Sequence, residues 1–274
     1  MNLVKKKLYL FRIRFLDVWI ISNLLGKLWF LIPNPLRLRL PVKSIGYGFI
    51  SLTKIFKWTL DPRDLASQKY FGYAFRRYEP CTQRALFREI QNLSESKEVS
   101  FLIIGANTGL YALLVGKKFP NTTITLFEPV PVNLEFLRAN MDLNNLNPEI
   151  FEFAASDSNG VLTIYANEEL FGMASISANS GTPLKVRAVQ VDDIINKKVD
   201  VVLIDVEGHE MAVLKGMSTI LKDSKPSIII ETNSETLGNL SAYLETYGYL
   251  APVWLGRDTL FGPQEKNFLF KQVP

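Results

Sequence analysis

Two residue types that commonly build reactive or metal-binding sites are nearly absent from this chain. Its 274 residues include one cysteine, Cys81, and one histidine. A single cysteine excludes a disulfide within the chain, and a single histidine excludes a metal site made of several imidazoles. We therefore predict no metal site. The alternative is a divalent ion held by the carboxylates of Asp192, Asp205 and Glu231, because oxygen ligands suit magnesium.

Acidic residues are scarce in the first 58 positions. That stretch has eleven lysines and arginines against one acid, Asp17, which gives a charge of +10. The whole chain carries +4, so the remainder carries −6. Such asymmetry indicates two parts with different partners. We predict a basic, apolar N-terminal extension over residues 1–60 and an α/β catalytic domain over residues 61–274.

The extension also lacks a long apolar run without charges. Residues 8–32 are rich in Leu, Ile, Phe and Trp, but their longest charge-free stretch is 18–26. A spanning helix needs about 20 apolar residues, and nothing resembles a signal-peptide cleavage site. We expect a cytoplasmic protein whose residues 1–32 lie on an anionic membrane surface. Alternatively, these residues pack on the catalytic domain or on a second subunit. Basic residues interleaved with large aliphatic ones do not favour nucleic acid.

From residue 99 onwards, apolar runs alternate with helical segments, which is typical of a mostly parallel sheet covered by helices on both faces. Strands are predicted at 99–104, 123–127, 149–154, 199–204, 226–231, 249–254 and 267–271. Helices are predicted at 82–93, 109–118, 131–140, 209–221 and 234–246. Between 160 and 191 the alternation of apolar and polar residues predicts a hairpin or edge insertion, bridged by a connector at 171–175 that looks mobile.

A glycine loop follows the first of these strands. It reads Gly105-Ala106-Asn107-Thr108-Gly109 and precedes a helix, whose free N–H groups face any ligand placed there. The next strand ends at Glu128-Pro129, 23 residues after Gly105. A carboxylate at that position can accept hydrogen bonds from both hydroxyls of a ribose. The arrangement predicts a site for a nucleoside cofactor.

The loop spacing separates two classes of cofactor. A dinucleotide fingerprint, G-x-G-x-x-G, needs a second glycine so that a pyrophosphate can approach the helix. Here that glycine is missing, which disfavours a nicotinamide dehydrogenase and favours a cofactor without phosphate, such as S-adenosylmethionine. The remaining alternative is an ordinary strand-to-helix turn without a ligand.

Further motifs along the chain carry a family resemblance. In order they are Tyr78-Glu79-Pro80, Phe127-Glu128-Pro129-Val130-Pro131-Val132-Asn133, Arg138-Ala139-Asn140 with Asn144, Ala154-Ala155-Ser156-Asp157, Val191-Asp192-Asp193, Asp205-Val206-Glu207-Gly208-His209-Glu210, Leu214-Lys215-Gly216 and Ile229-Ile230-Glu231. This series resembles the FkbM family of S-adenosylmethionine-dependent methyltransferases over roughly residues 78–232.

The resemblance implies the class I methyltransferase (Rossmann-like) fold: a mostly parallel seven-stranded sheet with helices on both faces. It also implies O-methylation of a hydroxyl on a glycan, a lipid-linked acceptor or a secondary metabolite. Two positions depart from the family, because Ile103 and Leu203 stand where it usually has Asp and Lys. We predict that these two residues face each other and changed together, since replacing both members of a buried ion pair avoids an unpaired charge. The alternative function is a degenerate, weakly or non-catalytic domain acting as a membrane-associated partner.

The strand ends supply the predicted cofactor contacts. Glu128 is expected to bind the ribose, Asp157 the adenine amino group, and Asn107 either the methionine part or its own loop. The full predicted cofactor set is Gly105, Ala106, Asn107, Gly109, Glu128, Pro129, Asn133, Ser156 and Asp157. Glu79 is predicted to contact the acceptor substrate.

The predicted catalytic residues are Asp205, Glu207, His209 and Glu231. An alcohol is a very weak acid, so a base must take its proton as the new C–O bond forms. His209 has a suitable intrinsic pKa and is placed where a helix begins, which favours its neutral form. Asp205 is the other candidate for the base. Glu207 and Glu210 are alternatively interpreted as groups that cap the helix and hold the loop.

Overall fold

The computed structural model describes residues 48–50, 58–60, 79–167, 170–175, 182–256 and 266–272. The predicted membrane-surface segment, residues 1–32, lies outside them, as does most of the predicted extension. No helix among the described residues is both long enough and apolar enough to span a bilayer. Within the extension, two short strands, β1 (Gly48–Ile50) and β2 (Trp58–Leu60), pair antiparallel.

A seven-stranded sheet forms the centre of the molecule. Its strands are β3 (Val99–Ile104), β4 (Thr122–Phe127), β5 (Glu149–Phe151), β10 (Val201–Ile204), β11 (Ser227–Thr232), β12 (Val253–Trp254) and β13 (Lys266–Phe270). They lie in the order β12-β13-β11-β10-β3-β4-β5. The first five are mutually parallel, whereas β13 is antiparallel to β11 and to β12. This order is that of the class I methyltransferase fold, so the predicted fold class is confirmed.

Helices cover both faces of the sheet. They are α1 (Pro80–Ser94), α2 (Leu110–Lys118), α3 (Pro131–Leu143), α4 (Val191–Ile194), α5 (Glu210–Lys215) and α6 (Ser234–Glu245), with a π-helix at Ile220–Ser224. One hydrophobic cluster joins α1, α2 and α3 to one sheet face. A second joins α5, α6 and the π-helix to the other. Because both faces are buried, the central strands are continuous apolar runs.

Local sequence explains where several helices begin. Pro80 and Pro131 lie in the first turns of α1 and α3, where the missing N–H costs nothing. The Asn233 side chain caps α6 by accepting hydrogen bonds from the backbone N–H groups of Glu235 and Thr236, at 2.9 and 3.0 Å.

The region between Gly160 and Val189 builds a second sheet. Strands β6 (Ala154–Ala155), β7 (Gly160–Asn167), β8 (Leu170–Ser175) and β9 (Thr182–Val189) lie in the order β6-β9-β7-β8, and β7 is antiparallel to both neighbours. The predicted hairpin insertion is therefore confirmed. The connector expected at 171–175 is instead part of strand β8, which pairs with β7.

Two predicted elements are interrupted. The strand expected at 149–154 splits, because β5 pairs with β4 in the central sheet while β6 pairs with β9 in the inserted sheet. The helix expected at 209–221 ends at Lys215. The Gly216 carbonyl accepts the N–H of Asp192 at 3.0 Å instead of continuing the helix. The Asp192 carboxylate accepts the N–H groups of Thr219 and Ile220, at 2.7 and 3.1 Å, so this acid caps the following turn.

The two residues that depart from the family pattern are neighbours. Ile103 on β3 and Leu203 on β10 are partners in the parallel register. Each side chain is 2% exposed, and both belong to the same hydrophobic cluster. The prediction that they face each other is confirmed. An apolar pair occupies a place where one lone charge would be buried without a partner.

Candidate cofactor and active site

The main cavity lies where the order of the strands reverses, between β3 and β10, outside the carboxyl ends of the parallel strands. That is where open α/β sheets bind ligands. The space within it, open mouth included, is about 640 Å³. Its walls are formed by Ile104, Gly105, Asn107, Phe127, Glu128, Pro129, Val130, Asn133, Phe153, Ala154, Ala155, Ile164, Asp205, Val206, Glu207 and His209.

Glu128 is the charged centre of one wall. It follows β4 and is 3% exposed. One carboxylate oxygen accepts the backbone N–H of Asn107 at 2.7 Å, and the other accepts the N–H of Val130 at 3.0 Å and the Asn133 amide at 3.1 Å. Burial raises the pKa of Glu128, and these three hydrogen bonds act in the opposite direction. The glycine loop and α3 therefore hold this carboxylate in the cavity wall.

Asn107 contributes an acceptor without a partner. Its side-chain oxygen is buried and makes no hydrogen bond within the described part of the chain. Its backbone has a left-handed φ of 49°, which is uncommon for a residue other than glycine. Strained residues and unsatisfied polar atoms concentrate at ligand sites. The Asn107 oxygen is therefore suited to a hydrogen-bond donor on a ligand.

The glycines of the loop serve contacts within the protein. A Cβ on Gly105, whose φ is +83°, would lie 1.8 Å from the backbone oxygen of Asp205. A Cβ on Gly109 would lie 2.6 Å from the Leu137 side chain on α3. Asn140, also on α3, donates from its side-chain amide to the carbonyl of Thr108 at 2.9 Å. Close packing around this loop therefore requires glycine at positions 105 and 109 and an amide at Asn140.

The other end of the cavity is apolar. The inserted sheet supplies Ile164 from β7, and the chain between the two sheets supplies Phe153, Ala154 and Ala155. The Arg187 guanidinium lies 4.6 Å from the centre of the Phe153 ring and so stacks on it. This apolar part of the wall offers a surface for a flat aromatic ring.

The loop after β10 forms the facing wall. Asp205 donates its backbone N–H to Ile104 at 3.0 Å, which fixes it beside the glycine loop. Glu207 also has a left-handed φ, 48°, and lines the cavity. Glu210 is buried and accepts the N–H of Gly208 at 2.7 Å. The interpretation of Glu210 as a group that holds this loop is thereby confirmed, and Glu207 lines the cavity.

His209 connects this loop to a neighbouring strand end. It occupies the N-cap position of α5, and its Nε2 lies 3.0 Å from the Oγ of Ser156. Burial lowers the pKa of His209, while the charge of Asp157 raises it. The predicted position at a helix start is confirmed, but desolvation is the larger cause of the neutral form.

The remaining predicted residues do not line the main cavity. Glu231 lines an adjoining cavity of about 230 Å³, which shares Asp205 and Glu207 with the main one. The others are Ala106, Gly109, Ser156, Asp157 and Glu79. Glu79 has a left-handed φ of 43° and accepts a hydrogen bond from the hydroxyl of Tyr111, on the first turn of α2. Sequence reasoning missed Phe153 and Ile164, which belong to no motif.

The comparisons with known proteins agree with this geometry. A family model described as the methyltransferase FkbM domain matches residues 104–251. A protein of Beauveria bassiana named methyltransferase 1 is 27% identical over 183 residues, which is 56% of this chain and 74% of that protein. The hexuronic acid methyltransferase AglP of Haloferax volcanii is 26% identical over 147 residues, 52% of this chain and 59% of that protein.

A solved structure also matches part of this chain. The crystal structure of methyltransferase FkbM from Methylobacillus flagellatus KT matches with a TM-score of 0.48 and 18% identity. The match covers 64% of this chain and 43% of that one. This chain therefore spans less than half of that protein.

Proposed function

We infer the function from one premise: the chain belongs to the FkbM methyltransferase family. We propose that it transfers a methyl group from S-adenosylmethionine to a hydroxyl group of a glycan, a lipid-linked molecule or a secondary metabolite. The observation that carries the proposal is Glu128, a buried carboxylate held by three hydrogen bonds in the wall of the main cavity. Its position suits the two hydroxyls of a ribose.

The lining residues fit this cofactor at three places. Glu128 would hold the ribose, and the apolar end at Phe153 and Ile164 would hold the adenine. The buried, unpartnered oxygen of Asn107 would accept a hydrogen bond from the ammonium group of the methionine part. When bound, S-adenosylmethionine supplies a methyl group on a positively charged sulfur.

The chain's own residues would manage the proton of the acceptor. As the acceptor oxygen gains the methyl group it must lose its proton, and a base within hydrogen-bond reach must take it. His209 lines the cavity, and its lowered pKa keeps it neutral and able to accept a proton at pH 7. We propose His209 as this base. Asp205 is the second candidate, because its loop lines both cavities.

The adjoining cavity is the proposed place for the acceptor. It is lined by Asp205, Glu207, Gly208, Glu210, Glu231, Thr232 and Asn233. Carboxylate and amide oxygens accept hydrogen bonds from hydroxyl groups, so these residues suit an acceptor that carries several hydroxyls. The relative AglP is named for a sugar acid, which supports a sugar-like acceptor for this chain.

Calorimetry with S-adenosylmethionine, followed by transfer of labelled methyl groups to fractionated cell extract, tests the proposal. We expect saturable heat, and label in a lipid or sugar fraction that resists alkaline hydrolysis as an ether does. A folded protein that gives no heat would instead support the alternative, a degenerate domain acting as a partner. The presence of Ile103 and Leu203 in place of the family's charged pair motivates that alternative.

The inserted sheet gives a prediction of its own. Replacing Ile164, which is 4% exposed in the apolar end, by alanine should weaken cofactor binding by roughly tenfold, because about two methylene contacts are lost. The matched control is Val161→Ala on the same strand, since Val161 is 68% exposed and does not line the cavity. Equal affinities of both variants in calorimetry would show that adenine does not bind against Ile164.

We also propose that residues 1–32 hold the enzyme at an anionic membrane, on the evidence of their basic and apolar composition. The full chain should then sediment with phosphatidylserine vesicles, and 0.5 M salt should weaken this binding. Sedimentation that is equal with neutral vesicles would contradict the electrostatic part of the proposal.

A further inference from the structure

The proposed base, His209, forms a row with two side chains from another loop, Ser156 and Asp157. The Nε2 of His209 is 3.0 Å from the Oγ of Ser156, and that oxygen is 3.4 Å from the Oδ1 of Asp157. Ser156 is 1% exposed, whereas Asp157 is exposed at the outer end of the row. The row thus runs from the cavity wall, at His209, to the surface.

One arrangement of the protons uses both contacts of Ser156. The Asp157 carboxylate can only accept a hydrogen bond, and in this arrangement it accepts the single hydroxyl proton of Ser156, at 3.4 Å. The Ser156 oxygen then offers only lone pairs to His209, so Nε2 donates to it. With this direction the imidazole carries its proton on Nε2 and leaves Nδ1 unprotonated.

The backbone holds the row in place. The N–H of Ser156 donates to the carbonyl of Val189 at 2.9 Å. The carbonyl of Ser156 fits against Gly216, where a Cβ would lie 1.9 Å from its oxygen. The Gln190 side chain donates to the carbonyl of Asp157 at 2.8 Å. The glycine of the Leu-Lys-Gly motif is thereby explained, because a side chain at Gly216 would displace Ser156.

We propose that Ser156 and Asp157 are positioning residues, which fix His209 in the tautomer protonated on Nε2 and leave Nδ1 as the proton acceptor. This inference deepens the proposed function and rests on it for its catalytic meaning. Sequence reasoning had placed Ser156 and Asp157 among the cofactor contacts. In the structure neither lines the main cavity, whereas Ser156 contacts His209 directly.

Several other charged groups surround His209. Asp205 and Glu207 come from the loop after β10, Glu128 comes from the end of β4, and Glu210 is the next residue on α5. Of these carboxylates and Asp157, it is the charge of Asp157 that raises the pKa of His209. Among the described residues, the contact with Ser156 is the one hydrogen bond to the His209 ring, so the tautomer distinguishes this row from the general negative charge of the site.

The test uses the fact that His209 is the only histidine in the chain. A full-length, ¹⁵N-labelled protein without a histidine tag gives a single imidazole in long-range ¹H–¹⁵N spectra, so no acceptor substrate is needed. At pH 7.5 we expect a ¹⁵N chemical shift typical of a protonated ring nitrogen for Nε2 and one typical of an unprotonated nitrogen for Nδ1. A dominant Nδ1–H tautomer would overturn the proposal.

Variants separate the row from ordinary histidine behaviour. Ser156→Ala should shift the tautomer ratio towards Nδ1–H by about fivefold, as expected for one lost hydrogen bond. Asp157→Asn, at an exposed position, should lower the pKa of His209. The matched control is Ser158→Ala, because Ser158 also donates to Asp157, at 3.3 Å, and no hydrogen bond joins it to His209. An unchanged tautomer ratio in Ser156→Ala, or an equal change in Ser158→Ala, would contradict the proposal that Ser156 sets the tautomer of His209.

Calorimetry on the same samples separates the two proposals. If S-adenosylmethionine binds but His209 shows the wrong tautomer, the row is wrong and the cofactor site stands. If the tautomer is as expected but no cofactor binds, the hydrogen bonds of the row are present and the proposed methyl transfer is wrong.

Discussion

Replacing Glu128 by alanine is expected to lower the affinity for S-adenosylmethionine by at least about 100-fold, because two charge-assisted hydrogen bonds to the ribose are lost. The structure predicts a second effect. The N–H groups of Asn107 and Val130 both donate to this carboxylate and would lose their acceptor. The loop would therefore be less ordered before the cofactor arrives. Calorimetry measures the first effect, and chemical denaturation measures the accompanying loss of stability.

The matched control is Asp142→Asn, which removes an exposed carboxylate from α3. It should leave affinity and stability within error of the unchanged protein. Glu128→Gln keeps the volume of the side chain but removes its charge, so its affinity should also fall while its stability falls less than that of Glu128→Ala. Undiminished binding in both Glu128 variants would remove the main support for the cofactor site.

Lowering the pH should weaken cofactor binding at Glu128 but increase the contribution of this group to the stability of the fold. Burial raises its pKa above 4.5 in the folded protein. The contribution of this group to stability is therefore fully present below pH 4.5 and is lost as the pH rises through the raised pKa. The ribose hydroxyls bind the ionised form better, so cofactor affinity should fall as the pH drops through that same pKa. Calorimetry over a pH series checks the direction, and Glu128→Gln should lack this dependence.

Restoring one charge of the family's pair is expected to destabilise the fold strongly. Ile103→Asp and Leu203→Lys should each cost about 3–5 kcal/mol, since each places one unpaired charge in a buried cluster. The double variant should lose less than either single one, because the two positions are partners in the register between β3 and β10. Denaturation of all four proteins gives the coupling free energy.

The control places the lysine on the other face of the sheet. Val202 is also fully buried, but it belongs to the cluster on the α5 and α6 side. Ile103→Asp combined with Val202→Lys should therefore show no rescue. Equal rescue by Val202→Lys and Leu203→Lys would mean that the benefit does not come from a direct pair at the predicted place.

The fold could be predicted where the signal is local. Strand β3 was predicted with its observed bounds, because a strand buried on both faces is a continuous apolar run. The helix after Asp205 was predicted too long. Its end depends on Gly216, whose carbonyl is taken by Asp192 from a distant part of the chain. No periodicity within residues 209–221 reveals that contact.

The site residues could likewise be predicted where they lie close together in the sequence. Glu128 and Asn107 were found because the glycine loop and the next strand end lie close in sequence, and both line the cavity. Ile164 was not found, since an isoleucine on an alternating strand is typical of any sheet. The contact between Ser156 and His209 joins residues 53 positions apart. Such pairings depend on how the two sheets pack against each other.

At Gly105 and Gly216, a backbone oxygen from another loop lies where a side chain would begin. The Asp205 oxygen would be 1.8 Å from a Cβ on Gly105, and the Ser156 oxygen would be 1.9 Å from one on Gly216. At Gly105 the loops after β3 and β10 touch, and at Gly216 the chain after β6 touches the end of α5, so a side chain at either glycine would push these segments apart. The two glycines therefore set how closely the glycine loop, the Asp205 loop and the Ser156 loop approach one another around the cavity.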